Sequence, residues 1–252
     1  MELRSYLRSR GALVNGYLQV RLGVGSISTV DQAMMYSVAA GGKRLRPILL
    51  MAAADAVGAN GTDFVAVAAG LEMIHTYSLI HDDLPSMDND DYRRGRLTNH
   101  KVFGDAMALL AGDGLLTQAF EVMLEQRGVD PQVLLDVVRL VAKCAGPTGM
   151  VGGQALDITS ENQQLTLEQM KKLHEAKTGA MFVAAVRGGA MLGGADPDTL
   201  RTMTHFASLF GLAFQITDDI LDVEGDAKVM GKPAHSDEKL HKSTYCLLYT
   251  SD

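Results

Sequence analysis

Apolar residues recur every three or four positions through most of this chain, which is the period of an α-helix rather than of a strand. One stripe begins after the possible caps Ser28 and Thr29 and would end at Gly41-Gly42. A second predicted helix runs from about Asp63 to Leu84, because Pro85 disfavours its continuation. This pattern predicts an all-α fold.

The second half of the chain repeats the helical pattern. Two apolar segments, Gly112 to Leu124 and Val133 to Cys144, are predicted helices. Thr166 and Gln169 resemble a capping box, which would open a helix with Leu167, Met170, His174 and, further along, Lys177 on one face. Another helix would begin at Pro197, with an apolar stripe formed by Met203, Phe206, Phe210, Phe214, Thr217 and Leu221. Since no repeat or linker interrupts the pattern, we predict one domain over residues 1–252.

Composition narrows the function. The chain has 252 residues, 47% apolar and 21% charged, which suits a globular protein and excludes a disordered one. Its formal net charge of −7 disfavours binding to nucleic-acid phosphates, and its two cysteines cannot form a disulfide framework. The longest uninterrupted apolar stretches, such as Phe64 to Leu71, are too short for a bilayer, and no apolar signal segment follows the N-terminus. We therefore expect a cytoplasmic enzyme without nucleic-acid or membrane partners.

Two clusters of aspartates each lie at the end of a predicted apolar helix, one within residues 81–91 and one within residues 217–222. Asp218 and Asp222 are spaced i, i+4, so their like charges would repel on one side of a helix. A bound cation removes this penalty, and Mg²⁺ prefers carboxylates, water and substrate phosphate oxygens. One acidic cluster alone would indicate a solvated helix end. Two clusters in apolar surroundings predict magnesium binding.

Basic residues collect in two short runs, Gly41 to Pro47 and Arg93 to Arg96, on an otherwise acidic chain. Arginine suits bidentate phosphate contacts, and lysine acts as a mobile charge. His75, Ser78 and Asp82 share one helical stripe, which makes His75 a candidate hydrogen-bond donor to a substrate phosphate. The chain has no GxxxxGK[ST], GxGxxG, GxSxG or HExxH motif. Phosphate chemistry here would therefore depend on metal ions and positioned cations.

These motifs occur in an order that resembles a known family. The stretches that carry the resemblance are Gly41–Pro47, Glu72–Leu116, Gly152–Ile158, Lys177-Thr178 and Phe214–Asp226. They resemble the short-chain trans-polyprenyl diphosphate synthases, and most closely the bacterial farnesyl diphosphate synthases. The resemblance implies an isoprenoid-synthase-type helical bundle around a deep central cavity, usually a homodimer.

The resemblance also assigns residues to roles. It implies Mg²⁺ binding by the two aspartate motifs through Asp82, Asp83, Asp88, Asp218 and Asp222, with Asp219 in the second motif. Isopentenyl diphosphate would be held by Lys43, Arg46, His75 and Arg94. The allylic diphosphate would be contacted by Arg93, Lys177, Thr178, Gln215 and Lys232. The residues expected to serve catalysis directly are Asp82, Asp83, Asp88, Lys177, Asp218 and Asp219.

The implied reaction joins isopentenyl diphosphate to dimethylallyl and then geranyl diphosphate, giving farnesyl diphosphate and pyrophosphate. Geranylgeranyl diphosphate synthase is an alternative with the same chemistry. A class I terpene cyclase would also ionise a prenyl diphosphate with an aspartate-rich helix. It is a weaker alternative, because such a cyclase normally lacks both the second aspartate motif and a stretch like Gly41–Pro47. A non-catalytic partner subunit is a further alternative, because the chain departs from the family after Lys242–Tyr245. We expect a C-terminus truncated relative to the family.

The residue that limits product length has two candidates just before Asp82. Helical geometry places Ser78 within about 40° of Asp82 and Tyr77 about 140° away. Geometry alone therefore selects Ser78. The resemblance selects Tyr77, whose ring would close the pocket.

Overall fold

The computed structural model describes residues 2–23, 28–161, 163 and 165–224. Within these residues the chain is almost entirely α-helical, as the apolar period predicts. Lys232 and the departure from the family after Lys242–Tyr245 lie outside the described residues. The chain divides into two compact units, Met1–Val138 with Gly189–Ala195, and Arg139–Gly188 with Asp196–Asp252. Helices α7 (Pro131–Ala145) and α10 (Ala180–Leu192) contribute residues to both.

The first unit contains six of the described helices and one hairpin. In chain order these are α1 (Leu3–Gly23), α2 (Thr29–Ala39), α3 (Leu45–Ala56), α4 (Val65–Asp82), β1 (Tyr92–Arg93), β2 (Arg96–Leu97), α5 (Asn99–Phe103) and α6 (Asp105–Leu124), with a 3₁₀ turn at Gly61–Phe64 before α4. The predicted cap of α2 is confirmed, because the Ser28 hydroxyl accepts a hydrogen bond from the Asp31 amide.

Helix α4 lies at the centre of this unit, packed against α6, α3 and α1. Its residues from Ala66 to Ile74 are all buried. Glycines permit the close packing of α4 on α6: a methyl group on Gly70 would lie 2.9 Å from the Ala119 carbonyl oxygen. A methyl group on Gly112 would overlap the His81 ring. The predicted start of α6 at Gly112 is therefore wrong, since this glycine serves a helix contact and the helix begins at Asp105.

Two helices are long and apolar enough to cross a membrane by length and composition alone, Gly61–Asp82 and Asp105–Leu124. The sequence expectation relied on uninterrupted apolar runs, whereas α4 also accommodates polar residues such as Glu72. In the first helix 72% of the apolar window is buried inside the protein, and in the second 39% is buried. The first is a core helix, and two such helices are only a weak indication of a membrane span.

The hairpin between α4 and α5 has an antiparallel register that pairs Tyr92 with Leu97 and Arg93 with Arg96. Its two central residues, Arg94 and Gly95, both have positive φ angles, 54° and 74°. Positive φ at both positions is the geometry of a type I′ turn, which matches the natural twist of two short strands. The turn therefore fixes the position of the Arg94 Cα atom, from which the side chain extends.

The second unit contains α8 (Met150–Thr159), α9 (Leu167–His174), a π-helical turn (Glu175–Gly179) and α11 (Pro197–Glu224). The capping box is confirmed: Thr166 and Gln169 exchange side-chain and backbone hydrogen bonds at the start of α9. The α11 stripe is only partly buried. Phe210 and Phe214 each pack on the Phe182 ring with centroids 5.1 Å apart, whereas Phe206 and Leu221 are about half exposed.

Candidate active site

The first aspartate cluster forms where α4 ends. Asp82 is the last residue of the helix, and the following loop turns back until the Asp88 amide donates to the Asp82 carbonyl oxygen at 2.9 Å. Asn89 takes a left-handed conformation with φ 53°, which a short polar residue tolerates. Asp82 and Asp88 are both half-buried. The structure thus brings these two predicted metal ligands to one helix end.

Asp83 behaves differently from its neighbours. Its side chain is buried, and both of its oxygens accept hydrogen bonds from Arg93 Nε at 2.7 and 2.9 Å. A third contact joins Arg93 Nη2 to Asp83 Oδ1 at 2.6 Å. Burial raises the pKa of Asp83, and the hydrogen bonds from Arg93 offset part of that rise. Asp83 is predicted to bind metal and Arg93 to contact the allylic substrate. In the structure the two side chains form an ion pair with each other.

Two arginines and a histidine from three segments lie near one another on α4 and beside it. Arg46 Nη1 lies 3.4 Å from His75 Nδ1, and Arg94 donates to the Gly41 carbonyl oxygen. Lys43 is exposed on the same loop as Gly41. The structure therefore gathers Arg46 and His75, and links Arg94 to the loop that carries Lys43.

His75 is held neutral by its surroundings. Burial lowers its pKa well below the usual histidine range, and the positive charges of Arg46 and Arg94 add to that effect. Burial also lowers the pKa values of Arg46 and Arg94, but a guanidinium stays protonated in proteins. This group therefore presents arginine charge together with a neutral imidazole that can donate one hydrogen bond.

Arg44 is a residue that the sequence reasoning missed. It is buried and forms an ion pair with Glu72, with Arg44 Nη1 2.6 Å from Glu72 Oε1. The available signal was Glu72 itself, a single carboxylate within an apolar helix, since such a charge is buried only with a partner. Arg44 is that partner.

In the second unit, α8 contributes a partner for the predicted substrate lysine. Lys177 Nζ lies 2.6 Å from Asp157 Oδ2, an aspartate that the sequence reasoning did not single out. The signal was available, because Asp157 belongs to the Gly152–Ile158 stretch. The pair fixes Lys177 against α8.

A chain of hydrogen bonds joins three further residues of this unit. The Thr178 hydroxyl donates to Gln215 Oε1 at 3.0 Å, and Gln215 Nε2 donates to Asp219 Oδ1 at 3.0 Å. Asp219 is buried, whereas Asp218 is half-buried on the same helix. The structure therefore brings Thr178 and Gln215 together, and it places Asp219 in their hydrogen-bond network.

The backbone around Lys177 departs from the predicted regular helix. Residues Glu175–Gly179 form a π-helical turn, so the residues from His174 to Lys177 do not follow the regular α-helical spacing that the predicted stripe assumed. Glycines make room for this turn: a methyl group on Gly153 would overlap the Lys177 backbone, and one on Gly211 would lie 2.9 Å from the Gly179 Cα. Single π turns within helices occur often at functional sites.

Replacing Gly153 with alanine is expected to lower the free energy of unfolding by about 1–3 kcal/mol, because the added methyl group overlaps backbone atoms. Gly16→Ala is the matched control, since Gly16 lies within α1 and nothing approaches its missing methyl group. That control is expected to raise the free energy by about 0.5–1 kcal/mol. Urea unfolding followed by circular dichroism measures both. Equal stability of Gly153→Ala and the unmodified protein would refute the close contact.

The two candidate length-limiting residues differ in burial. Tyr77 is 5% exposed, and its ring meets the His81 ring edge-on with centroids 5.6 Å apart. Burial raises the pKa of Tyr77, and the charge of Asp82 adds to this rise. Ser78 is half-buried and donates to the His75 carbonyl oxygen at 2.9 Å. Tyr77 is therefore a neutral, tightly packed ring.

The aspartates suit magnesium better than a metal held by protein alone. Among the described residues, no three His, Cys, Asp or Glu side chains come close enough together to hold a metal ion. Mg²⁺ is usually bound by one or two carboxylates, with water and substrate phosphates completing its shell. The half-buried pair Asp82 and Asp88 fits that pattern.

Comparisons with known proteins found one matching family and several similar sequences. The family described as "Polyprenyl synthetase" matches residues 27–252. The chain is 54% identical to a farnesyl diphosphate synthase of Geobacillus stearothermophilus over 86% of this chain and 73% of the relative. It is 44% identical to the farnesyl diphosphate synthase of Bacillus subtilis over 97% of this chain and 83% of the relative.

A solved structure is also similar. The geranyltransferase of Helicobacter pylori, complexed with magnesium and isoprenyl diphosphate, matches with a TM-score of 0.84 and 31% identity. The match covers 96% of this chain and 82% of that one.

Proposed function

The chain belongs to the polyprenyl synthetase family, and from this premise we propose that it makes farnesyl diphosphate by magnesium-dependent prenyl transfer. It would join isopentenyl diphosphate head to tail with dimethylallyl diphosphate and then with geranyl diphosphate. Each step releases pyrophosphate. The high identity to farnesyl diphosphate synthases over most of the chain supports this product.

The arrangement along α4 is the observation that carries the proposal. His75, with Arg46 beside it, lies seven residues before Asp82 on this helix. Seven residues span about 10 Å, or two helical turns, so both groups lie on one side of α4. One group offers positive charge to a diphosphate directly, and the other offers carboxylates to metal ions. The condensation has two diphosphate substrates. One would be bound directly by positive charge, and the other would be bound through metal ions.

Magnesium would neutralise the allylic diphosphate and thereby make it a better leaving group. Asp82 and Asp88 would hold the metal, and Asp218 and Asp222 are the expected ligands of the second motif. Lys177 and Thr178 would contact the same diphosphate and orient it. Arg93, held by its ion pair with Asp83, would contribute a fixed positive charge to the binding of this substrate.

The isopentenyl diphosphate would be held by Arg46, Arg94 and Lys43, with neutral His75 donating a hydrogen bond. Its double bond would attack the allylic carbon as the carbon–oxygen bond to the diphosphate breaks. A proton would then leave the new chain to the departing diphosphate. No enzyme nucleophile is needed, and apolar walls would keep water away from the cationic carbon.

The assembly and location of the enzyme are part of the same proposal. We expect a homodimer in the cytoplasm that acts on small diphosphates, with neither nucleic acid nor a membrane as partner. The net charge of −7 is consistent with the absence of a nucleic-acid partner.

Purified protein with Mg²⁺, isopentenyl diphosphate and dimethylallyl diphosphate tests the function. We expect pyrophosphate release that depends on both substrates and on magnesium, and C15 as the main product by chain-length analysis. Release from the allylic substrate alone would indicate a cyclase. A C20 product would indicate geranylgeranyl diphosphate synthase, and no release would indicate a non-catalytic subunit.

Lys43→Ala and Arg94→Ala are expected to raise KM for isopentenyl diphosphate about tenfold or more. Each removes a charge-assisted contact of roughly 1.5–3 kcal/mol. KM for the allylic substrate should change much less, because its diphosphate is assigned to the aspartates and Lys177. Initial rates with each substrate varied in turn measure the difference. An equal loss for both substrates would contradict this division of the residues.

A further inference from the structure

We infer that the buried ion pair of Arg44 with Glu72 is a positioning device for isopentenyl diphosphate. It holds the loop from Gly41 to Arg46 in the shape that binds this substrate. The inference rests on the proposed function, and it adds two residues to which the resemblance assigned no role.

The side chain of Arg44 ties its loop to three helices of the first unit. Arg44 Nη1 lies 2.6 Å from Glu72 Oε1 of α4, and Nη2 donates to the Val38 carbonyl oxygen of α2 at 2.6 Å. Its Nε donates to Asn15 Oδ1 of α1 at 2.8 Å. The planar guanidinium spreads its donors over three nitrogens and so reaches acceptors on three different helices, whereas the donors of a lysine share one nitrogen. The loop is therefore fixed at its centre.

The backbone of Arg44 shows that these contacts impose a shape. Arg44 has φ 49° and ψ 35°, a left-handed conformation that a non-glycine residue adopts only when its surroundings enforce it. It is the residue immediately before α3 and makes no side-chain capping hydrogen bond there. Lys43, immediately before it, and Arg46, two residues after it, are predicted substrate residues. Relaxing Arg44 would shift both of them.

The same loop also carries the contact for Arg94. The Gly41 carbonyl oxygen accepts from Arg94, and a methyl group on Gly42 would lie 2.7 Å from the Arg94 guanidinium. Displacing the loop would therefore release Arg94 as well. One buried pair controls the placement of three cationic side chains.

Glu72 also balances the charge of this group. Burial lowers the pKa values of Arg46 and Arg94, and for both side chains the negative charge of Glu72 is the main opposing influence. With its own charge paired to Arg44, Glu72 lies 1% exposed and out of contact with solvent. Glu72 therefore stabilises the positive charges of Arg46 and Arg94, and its burial prevents it from binding magnesium in place of the aspartates.

Replacing both charges with apolar groups distinguishes two roles for the pair, a purely structural role and a positioning role. Exchanging both members of a buried ion pair for apolar residues of similar size is often neutral for stability. The double variant Arg44→Met/Glu72→Leu should therefore fold, yet lose the left-handed loop shape. Its binding of isopentenyl diphosphate separates the two roles.

The decisive measurement is the Kd of isopentenyl diphosphate, by calorimetry in EDTA so that the metal-dependent diphosphate site is silent. We expect about tenfold or greater weakening in the double variant, as for the loss of one charged contact. In turnover assays with magnesium, KM for isopentenyl diphosphate should rise while KM for dimethylallyl diphosphate stays nearly unchanged. Arg21→Met/Glu125→Leu removes another ion pair of the first unit and should leave the Kd unchanged.

Arg44→Lys keeps the charge opposite Glu72, but its donors share one nitrogen and cannot reproduce the contacts of Nε, Nη1 and Nη2, so it provides a second and milder test. It should also weaken isopentenyl diphosphate selectively. An unchanged Kd in either folded variant, or an equal rise in both KM values, would overturn the positioning role. Failure of the unmodified protein to bind isopentenyl diphosphate would overturn it too. Binding without turnover would instead refute only the proposed function.

Discussion

Replacing Asp82 with alanine is expected to lower kcat by about a thousandfold or more while the protein stays folded. Metal ions supply several kcal/mol of stabilisation to a departing charged group, and about 4 kcal/mol corresponds to a thousandfold in rate. Asp82 is half-buried at the C-terminal end of α4, where a negative charge opposes the helix dipole. Its removal should therefore not destabilise the helix. Pyrophosphate release measures kcat, and thermal unfolding by circular dichroism checks the fold.

Asp91→Asn is the matched control for this experiment. Asp91 belongs to the same acidic stretch, but it is exposed and pairs with Lys101 at 2.7 Å. Exposed pairs of this kind contribute about 0–1 kcal/mol, so kcat should change little. Asp218→Ala should match Asp82→Ala if the second motif also binds metal. Wild-type kcat in Asp82→Ala would refute the assignment of this residue to the metal.

Three aspartates of the first cluster, Asp82, Asp83 and Asp88, show what spacing alone can and cannot establish. Sequence spacing places Asp82 and Asp88 after one apolar helix, and the structure shows both at the C-terminal end of α4. Spacing cannot show that Asp83 is buried against Arg93, because that pairing depends on the type I′ turn at Arg94-Gly95. Asp83→Ala would therefore disturb the hairpin as well as any metal.

Local patterns predicted local structure well. The caps at Ser28 and Thr166 follow from contacts within three residues, and both are confirmed. The all-α class follows from the helical period of the apolar residues in the predicted segments. These features need no knowledge of the rest of the chain.

What the sequence did not reveal depends on contacts between distant segments. Arg44 looks like one more surface cation until Glu72 lies beside it, 28 positions away. Gly112 looks like the beginning of a helix until His81 is seen in the space of its missing side chain. The π turn at Glu175–Gly179 likewise needs Gly153 and Gly211 on other helices. Close packing, which one sequence does not display, decides all three.

Tyr77→Ala is expected to shift the main product from C15 to C20 or longer. Tyr77 is buried on the helix that carries His75 and Asp82, so removing its ring opens space next to the proposed site. Truncating a buried aromatic costs roughly 3–5 kcal/mol of stability, so assays should run well below the melting temperature of the variant. Product chain length by mass spectrometry is the readout.

Three further variants distinguish a residue that closes the product pocket from an ordinary packing residue. Tyr77→Phe keeps the ring and should still give C15. Tyr17→Ala truncates a half-buried tyrosine of α1 and should cost stability without lengthening the product. Ser78→Phe adds bulk on the half-buried side of α4 that faces the same way as Asp82, so it should shorten the product or block the second condensation. If Tyr77→Ala still stops at C15 while Ser78→Phe shortens the product, helical geometry identifies the limiting position correctly, and the resemblance does not.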